Sequence, residues 1–251
     1  MKIIVSPAKK MKEASFTFSK PTVPLFIDRA NSNRELLKSF SVDELMRIYE
    51  CSSKIALNAY DLLRSKELNE ALLTYDGIQY TYLKANALDR EELDYLGDNL
   101  YILSALYGIL RSTDLISYYR LEMNNKLYID DKNLYDYWGD EPYKVLFKDS
   151  DIVINLASVE YSKMISKHLK EGDRFITVYF YEQEKGKLIE KGVYAKMARG
   201  SMVRFMAQNK IESLEKIKDF NELGYKFSEE LSSNDSLVFI RAIKKQEKHR
   251  V

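Results

Sequence analysis

Apolar residues recur along this chain in two rhythms. Short continuous or alternating runs mark strands: Ile3 to Val5 near the start, the core of DIVINLAS from Asp151, RFITVYFYEQE from Arg174, and LVFIRAI from Leu237. DIVINLAS is nearly all apolar and reads as a central strand. Helical spacing governs the stretch from Arg34 to Lys66, where Leu36, Leu37, Phe40, Leu45, Met46, Ile48, Ile55, Leu57, Leu62 and Leu63 recur, interrupted at FSVDE and ECSSK. Two or three short helices are predicted there. Ser41 and Glu44 have capping-box spacing, and Ser52 or Ser53 is placed to cap the helix that follows.

Further along, LTYDGIQYTYLKA turns at Asp76-Gly77, and ALDREELDYLGDNL reads as a helix with acids near its start and Gly97 near its end. YILSALYGILR fits a buried strand with a turn or a helix, and periodicity does not choose. A turn is predicted at Asn124-Asn125, where asparagine tolerates positive φ. VEYSKMISKHLK is helical, a hairpin turns at Lys185-Gly186, and ARGSMVRFMAQNKI is a helix. SFTFSKPTVPLF, with two prolines, is extended and crosses the surface. The chain has no internal repeat and no Pro/Gly-rich linker, so one domain over 1–251 is expected. Its class is α/β in the mixed α+β sense: a mixed sheet with helices packed around it.

Composition narrows the class of protein. Hydrophobic residues make up 45% and charged residues 31% of the 251 positions, as in soluble globular proteins. The N-terminal apolar run is too short for a signal peptide, and no stretch approaches the ~20 apolar residues that cross a bilayer. A cytoplasmic protein without a membrane partner is expected. Cys51 stands alone, which rules out an internal disulfide. His168 and His249 are the only histidines, so Cys/His zinc sites and Ser-His-Asp catalysis have almost nothing to draw on. No cofactor and no metal site is expected. With a formal net charge of +1, any phosphate site must come from locally clustered Lys and Arg.

Clusters of that kind exist. Two strands, IIV and IVIN, each run into a serine followed by a basic or helical segment, VSPAKK in one and LASVEYSK in the other. In α/β sheets ligands gather beyond such carboxyl ends, where helix N-termini favour anions. Ser158, with Glu160 after it, also fits ordinary helix capping. In YAKMARGSMVRFMAQN, Lys196, Arg199, Gly200, Val203 and Arg204 share one side of a helix, with Ala198, Met202, Phe205 and Met206 opposite. Gly200 weakens that helix, which points to close approach of a ligand or of another backbone. GILRSTDLISYYRLEM collects Arg111, Asp114, Tyr118, Tyr119, Arg120 and Glu122, a set that suits phosphate and base contacts or buried Arg-carboxylate pairs equally. Nucleotide-binding glycine loops are absent. Asp114, Glu122 and Glu160 are acid/base candidates, although no spacing requires any two of them to meet. The segment LMRIYECSSKIALNAY has the outline of a helix-hairpin-helix module but lacks the glycine such a turn uses, and an ordinary helix pair also fits it.

Eight motifs in order, I-V-S-P-A-K, Y-D-G-I-Q-Y-x-x-L, L-S-A-L-Y-G-I-L-R-x-x-D-L, Y-R-L-E-M, L-Y-x-Y-W-G-D, V-I-N-L-A-S-x-E-Y, Y-A-K-x-A-R-G-x-M-x-R-F and F-N-x-x-G-Y, span nearly the whole chain. Together they resemble the YaaA family of bacterial peroxide-stress proteins. Departures are LRSTDL, where the family has a proline, and Asn124, where it has glycine. The resemblance implies a family-specific fold with a positively charged cleft and a helix-hairpin-helix element, for which the helix pair around Cys51 is the candidate. It also implies a cytoplasmic role in surviving hydrogen peroxide, through DNA binding linked to repair and through limiting reactive iron. On matching motif positions, Lys9, Arg111, Arg120, Lys196, Arg199 and Arg204 become candidates to line the cleft and contact phosphates of duplex or branched DNA with little base specificity. Lys10 lies outside the shared pattern. The alternative is an enzyme acting on a small phosphorylated or carboxylated substrate in the same cleft, with Asp114, Glu122 or Glu160 as acid/base. Direct iron binding, ranked last, would have to use carboxylates.

Overall fold

Ile3, Ile4 and Val5 are all fully buried although successive side chains point to opposite faces, so both faces of the strand that carries them are covered. The computed structural model describes residues 1–14 and 20–242. Within it the chain forms strands β1 (Lys2–Val5), β2 (Leu100–Ser104), β3 (Gly108–Arg111), β4 (Ile152–Leu156), β5 (Arg174–Glu184), β6 (Lys187–Ile189), β7 (Lys226–Phe227) and β8 (Ser236–Ala242). Among the described residues these make one eight-stranded sheet in the order β7-β8-β5-β4-β1-β2-β3, with β6 paired to β5 off this path. The middle of the sheet, β2-β1-β4-β5-β8, is parallel, while β3, β6 and β7 pair antiparallel. Ile3 lies opposite Ile154 and Val5 opposite Leu156, which brings the carboxyl ends of β1 and β4 side by side. The chain leaves β1 for β2 on one side and later enters β4 on the other. A crevice opens at such a switch point because the connections diverge there.

The helices are α1 (Ile27–Ser39), α2 (Val42–Tyr49), α3 (Ser53–Leu62), α4 (Ile78–Leu83), α5 (Arg90–Asn99), α6 (Leu134–Trp138), α7 (Glu141–Phe147), α8 (Val159–Ser166) and α9 (Gly192–Gln208), besides shorter turns of helix. Of these, α5, α7, α8 and α9 pack directly on sheet strands. Capping boxes start α2, from Ser41 and Glu44, and α5, from Asp89 and Glu92. Ser52 and Ser158 occupy N-cap positions without any side-chain bond to their helices. Between α2 and α3 the chain passes through Glu50 in the left-handed region, and the Glu50 carboxylate pairs with Lys126 at 2.6 Å.

YILSALYGILR, left open by periodicity, is the β2–β3 hairpin. Gly108 follows its turn at φ +73°, and a Cβ there would sit 2.7 Å from the Trp138 ring. The same indole donates to the Ala105 carbonyl at 2.9 Å, so tryptophan and glycine are fitted to each other. The Asn124-Asn125 turn forms without positive φ at either residue. Instead Asn125 Oδ1 accepts from the Glu122 amide at 2.7 Å and the Asn125 amide returns to the Glu122 carbonyl. Residues 15–19 of the extended segment, Ile243 and the basic tail with His249 lie outside the described residues.

One expected face is corrected. The side of α9 bearing Gly200 and Val203 is a packing surface: Val203 is fully buried, and a Cβ on Gly200 would lie 2.0 Å from the Gln79 carbonyl oxygen of α4. Of the two roles glycine could have, this is close approach of another backbone. Ala198, Met202 and Met206 on the other side are buried as well.

Two carboxylates inside the fold act as staples. Asp114 is fully buried and accepts from the Arg111 amide at 2.8 Å, from Arg111 Nε at 3.0 Å and from the Thr22 hydroxyl at 2.7 Å. Arg111 also donates to the Val23 carbonyl at 2.6 Å, tying the chain between Pro21 and Pro24 to β3. Glu182, on the inward side of β5, accepts from Tyr225 and from two nitrogens of Arg241. Burial beside that carboxylate pushes the Tyr225 phenol up.

Gly200→Ala is expected to lower unfolding free energy by about 2–3 kcal/mol in urea denaturation, although alanine is the better helix former by about 1 kcal/mol. A change smaller than roughly 0.5 kcal/mol would contradict the tight α4–α9 approach. Asp114→Ala should cost about 3–5 kcal/mol by the same measurement, because it strands a guanidinium and a hydroxyl that now share one buried carboxylate.

Candidate functional site

After β1 the backbone runs through Ser6-Pro7-Ala8, and proline's fixed φ and missing N–H end the strand there. Ser158 follows β4 and begins α8. Parallel pairing brings the two serines into contact: the Ser158 amide donates to Ser6 Oγ at 2.8 Å, and Ser6 Oγ donates to Ser158 Oγ at 3.2 Å. Because the Ser158 hydroxyl faces Ser6 and does not cap α8, the first-turn amides of that helix are left without a side-chain acceptor. The Tyr80 hydroxyl of α4 holds the Ser6 carbonyl at 2.9 Å.

A cavity of about 490 Å³ lies at this junction. Ser6 to Lys10, Ser158 and α8 border it from the sheet side, α4 with Asp76 and Gly77 from another, and Lys196 and Arg199 of α9 from a third. Tyr119 to Glu122 complete the wall. Residues far apart in sequence thus converge because the carboxyl ends of β1 and β4 meet the start of α4 and the side of α9 here.

Of the candidates read from sequence, Lys9, Arg120, Lys196 and Arg199 line this cavity, together with Glu122 and Glu160. Lys10 does so too, though sequence reasoning set it apart. Arg111 and Asp114 do not: they are engaged with each other in the staple described above, since a fully buried aspartate must keep its cation. Arg204 also points elsewhere, donating to the Tyr82 carbonyl at 3.2 Å and to Glu222 at 2.5 Å. One turn further along α9 than Gly200, it is carried past the cavity by the helix itself.

Glu122 sits between cations, 2.5 Å from Lys9 Nζ and 3.2 Å from an Arg120 nitrogen. The Lys9 side chain is 64% exposed while Arg120 is 18% exposed, so the lysine is at the mouth and the arginine inside. Glu160 accepts from the Asn124 amide at 3.2 Å. Arg199, 12% exposed, pairs with Glu190 at 3.0 Å, and burial lowers its pKa. Tyr119 shares short hydroxyl contacts with Tyr75 and Ser104 at 2.6 and 2.7 Å. Burial pushes the phenols of Tyr80, Tyr119 and Tyr161 up, which keeps all three protonated in this wall at neutral pH.

Sequence reasoning missed Gln79, which lines the cavity from α4 and is 7% exposed. Among the described residues Gln79 Nε2, Arg120 Nε and Arg199 Nε are buried without an acceptor. A glutamine inside DGIQY gives no local signal of this, since an amide at a helix start is ordinarily solvated. Among the described residues no group of three or more His, Cys, Asp or Glu is arranged to hold a metal ion. Nor is any described helix long and apolar enough to cross a membrane.

Comparison with known proteins bears on the whole chain. A family profile described as peroxide stress protein YaaA matches residues 1–231. A UPF0246 protein of Desulfitobacterium hafniense is 43% identical over 248 residues, covering 97% of this chain and 99% of the relative. One from Agathobacter rectalis is 45% identical over 248 residues, covering 97% of this chain and all of the relative. Another from Ligilactobacillus salivarius is 42% identical over 246 residues, again along its whole length. Eight ordered motifs, a profile match over most of the chain and end-to-end relatives agree, and the chain belongs to the peroxide stress protein YaaA family, UPF0246.

Proposed function

We propose that this protein serves the cytoplasmic response to hydrogen peroxide by binding DNA, duplex or branched, at the strand-end cavity, in support of repair or protection. One observation carries the reading: Lys9, Lys10, Arg120, Lys196 and Arg199, from three separate parts of the chain, converge on one opening of a protein whose net charge is only +1. Local concentration of cations without overall basicity favours phosphate contact at a defined place. Exposed lysines at the mouth meet the backbone, and such contacts carry little base preference. The α2–α3 pair adds less. Its turn presents the Glu50 carboxylate, already paired with Lys126, where a hairpin module would offer free amides to phosphate.

A second reading, an enzyme for a small phosphorylated or carboxylated substrate, is favoured by the cavity's size and by Glu122 facing Lys9 and Arg120. Small-molecule sites commonly enclose about 300–1,000 Å³. Glu122 would then be the acid/base and the arginines the electrostatic stabilisers.

Fluorescence anisotropy with duplex and branched DNA tests the first reading. The log–log salt slope should be roughly −3 to −5, corresponding to neutralisation of about four or five phosphates. Lys196→Ala/Arg199→Ala should weaken binding by about 10-fold or more and flatten the slope by about two units; unchanged affinity would remove the cavity from the DNA site. Glu122→Gln separates the two readings. For a binding site, loss of a negative charge beside two cations should tighten DNA by roughly 3–10-fold. For an enzyme it should leave substrate bound and abolish turnover.

A further inference from the structure

The unpaired polar groups buried in the cavity wall are all of one kind. Gln79 Nε2, Arg120 Nε and Arg199 Nε are donors without acceptors, and the residues that carry them come from α4, from the segment before the Asn124-Asn125 turn and from α9. The carboxylates there are already engaged: Asp76 lies 3.9 Å from Lys12, Glu122 holds Lys9 and Arg120, and Glu160 holds the Asn124 amide. An unsatisfied buried donor is costly, and buried polar groups in folded proteins are nearly always paired. Three such donors sit on residues that line one cavity, two of them guanidinium groups whose charge favours an oxyanion there. The uncapped N-terminus of α8, with the Ser6 and Ser158 hydroxyls beside it, adds favourable potential from a further side.

We infer that the base of this cavity is a subsite for a phosphomonoester, that is, for a terminal phosphate and not an internal phosphodiester. A phosphomonoester carries nearly two negative charges at neutral pH and three terminal oxygens, enough to serve donors arriving from several directions. An internal diester offers two such oxygens and one charge, and its chain must leave on both sides. A cavity of about 490 Å³ walled by Tyr80, Tyr119 and Tyr161 admits an end group, whereas a continuous duplex can only lie across the mouth. For a nucleic-acid end the inference rests on the DNA reading above. For a free phosphorylated metabolite it does not.

The experiment compares four probes on the full-length protein: oligonucleotides identical except for a 5′-phosphate or 5′-hydroxyl, and a nucleoside monophosphate against its nucleoside. Anisotropy should give about 10-fold tighter binding of the phosphorylated oligonucleotide, the size expected of charge-assisted hydrogen bonds. Gln79→Met, which keeps length and removes the amide, should abolish most of that preference while leaving the hydroxyl probe within about twofold. Equal binding of the two oligonucleotides, together with no thermal shift from the monophosphate, overturns the inference even if both oligonucleotides bind well. If neither oligonucleotide binds but the monophosphate raises the melting temperature and the nucleoside does not, the subsite stands with a metabolite as its source and the DNA reading falls. Should Gln79→Met fail to fold, the wild-type comparisons alone decide. A preference unchanged in folded Gln79→Met overturns the assignment of Gln79.

Discussion

Parallel pairing of β1 with β4 is the constraint on which the site depends. Register sets Val5 opposite Leu156, so both strands end together, and Ser6, directly after β1, comes within hydrogen-bonding range of Ser158, which follows β4 after Ala157. Both faces of β1 are covered, so a slip of one residue would push Lys2 or Ser6 into a position now filled by a fully buried apolar side chain. The hydrophobic effect on Ile3, Ile4 and Val5 therefore fixes the placement of two hydroxyls and a helix N-terminus with no need for a dedicated loop. A glycine-rich phosphate loop is unnecessary to such a layout. The divergence of connections at the switch point opens the space, and the strand ends supply the groups.

The remaining walls depend on packing of a different sort. Gly200 lets α9 settle against α4 with no side chain between them, which delivers Lys196 and Arg199 beside Gln79. Alanine would favour the isolated helix and disfavour this arrangement, a case of tertiary packing overriding propensity. Away from the cavity, Asp114–Arg111 and Glu182–Arg241 close their charges on each other, and Arg34 donates to the carbonyls of Leu63, Ser117 and Tyr118. These pairs explain why a chain with many arginines presents few of them to a ligand. Inside the cavity Arg120 and Arg199 also meet carboxylates, Glu122 and Glu190, but each keeps its Nε–H unpaired at a cost to stability, as functional sites commonly do.

Much of the architecture could be read from residue pattern because it follows from local rules. The Ser41–Glu44 box starts a helix and Lys185-Gly186 turns a hairpin through interactions within a few residues, while the continuous apolar runs of Ile3–Val5 and DIVINLAS mark strands covered on both faces. YILSALYGILR could not be assigned that way: its hairpin is settled by Trp138, which fills the space above Gly108 from about thirty residues further along. The face of α9 misled for a related reason. Lys and Arg at helical spacing share one side of the helix, yet Arg204 is drawn to Glu222 and Val203 is buried against its neighbours.

Apart from the YILSALYGILR hairpin, the sequence by itself determined the main element types, the mixed α/β class, the family and the two strand-end serines, because periodicity, capping and motif order are written in adjacent residues. Only the tertiary structure decided which cations share a cavity. Arg111 and Arg120 stand nine positions apart in one basic-aromatic cluster, but one is held by a buried aspartate and the other keeps a free N–H in the cavity wall. Whether a charged side chain is a staple or a ligand group depends on what lies across from it, and that partner is set by long-range packing which no local pattern encodes.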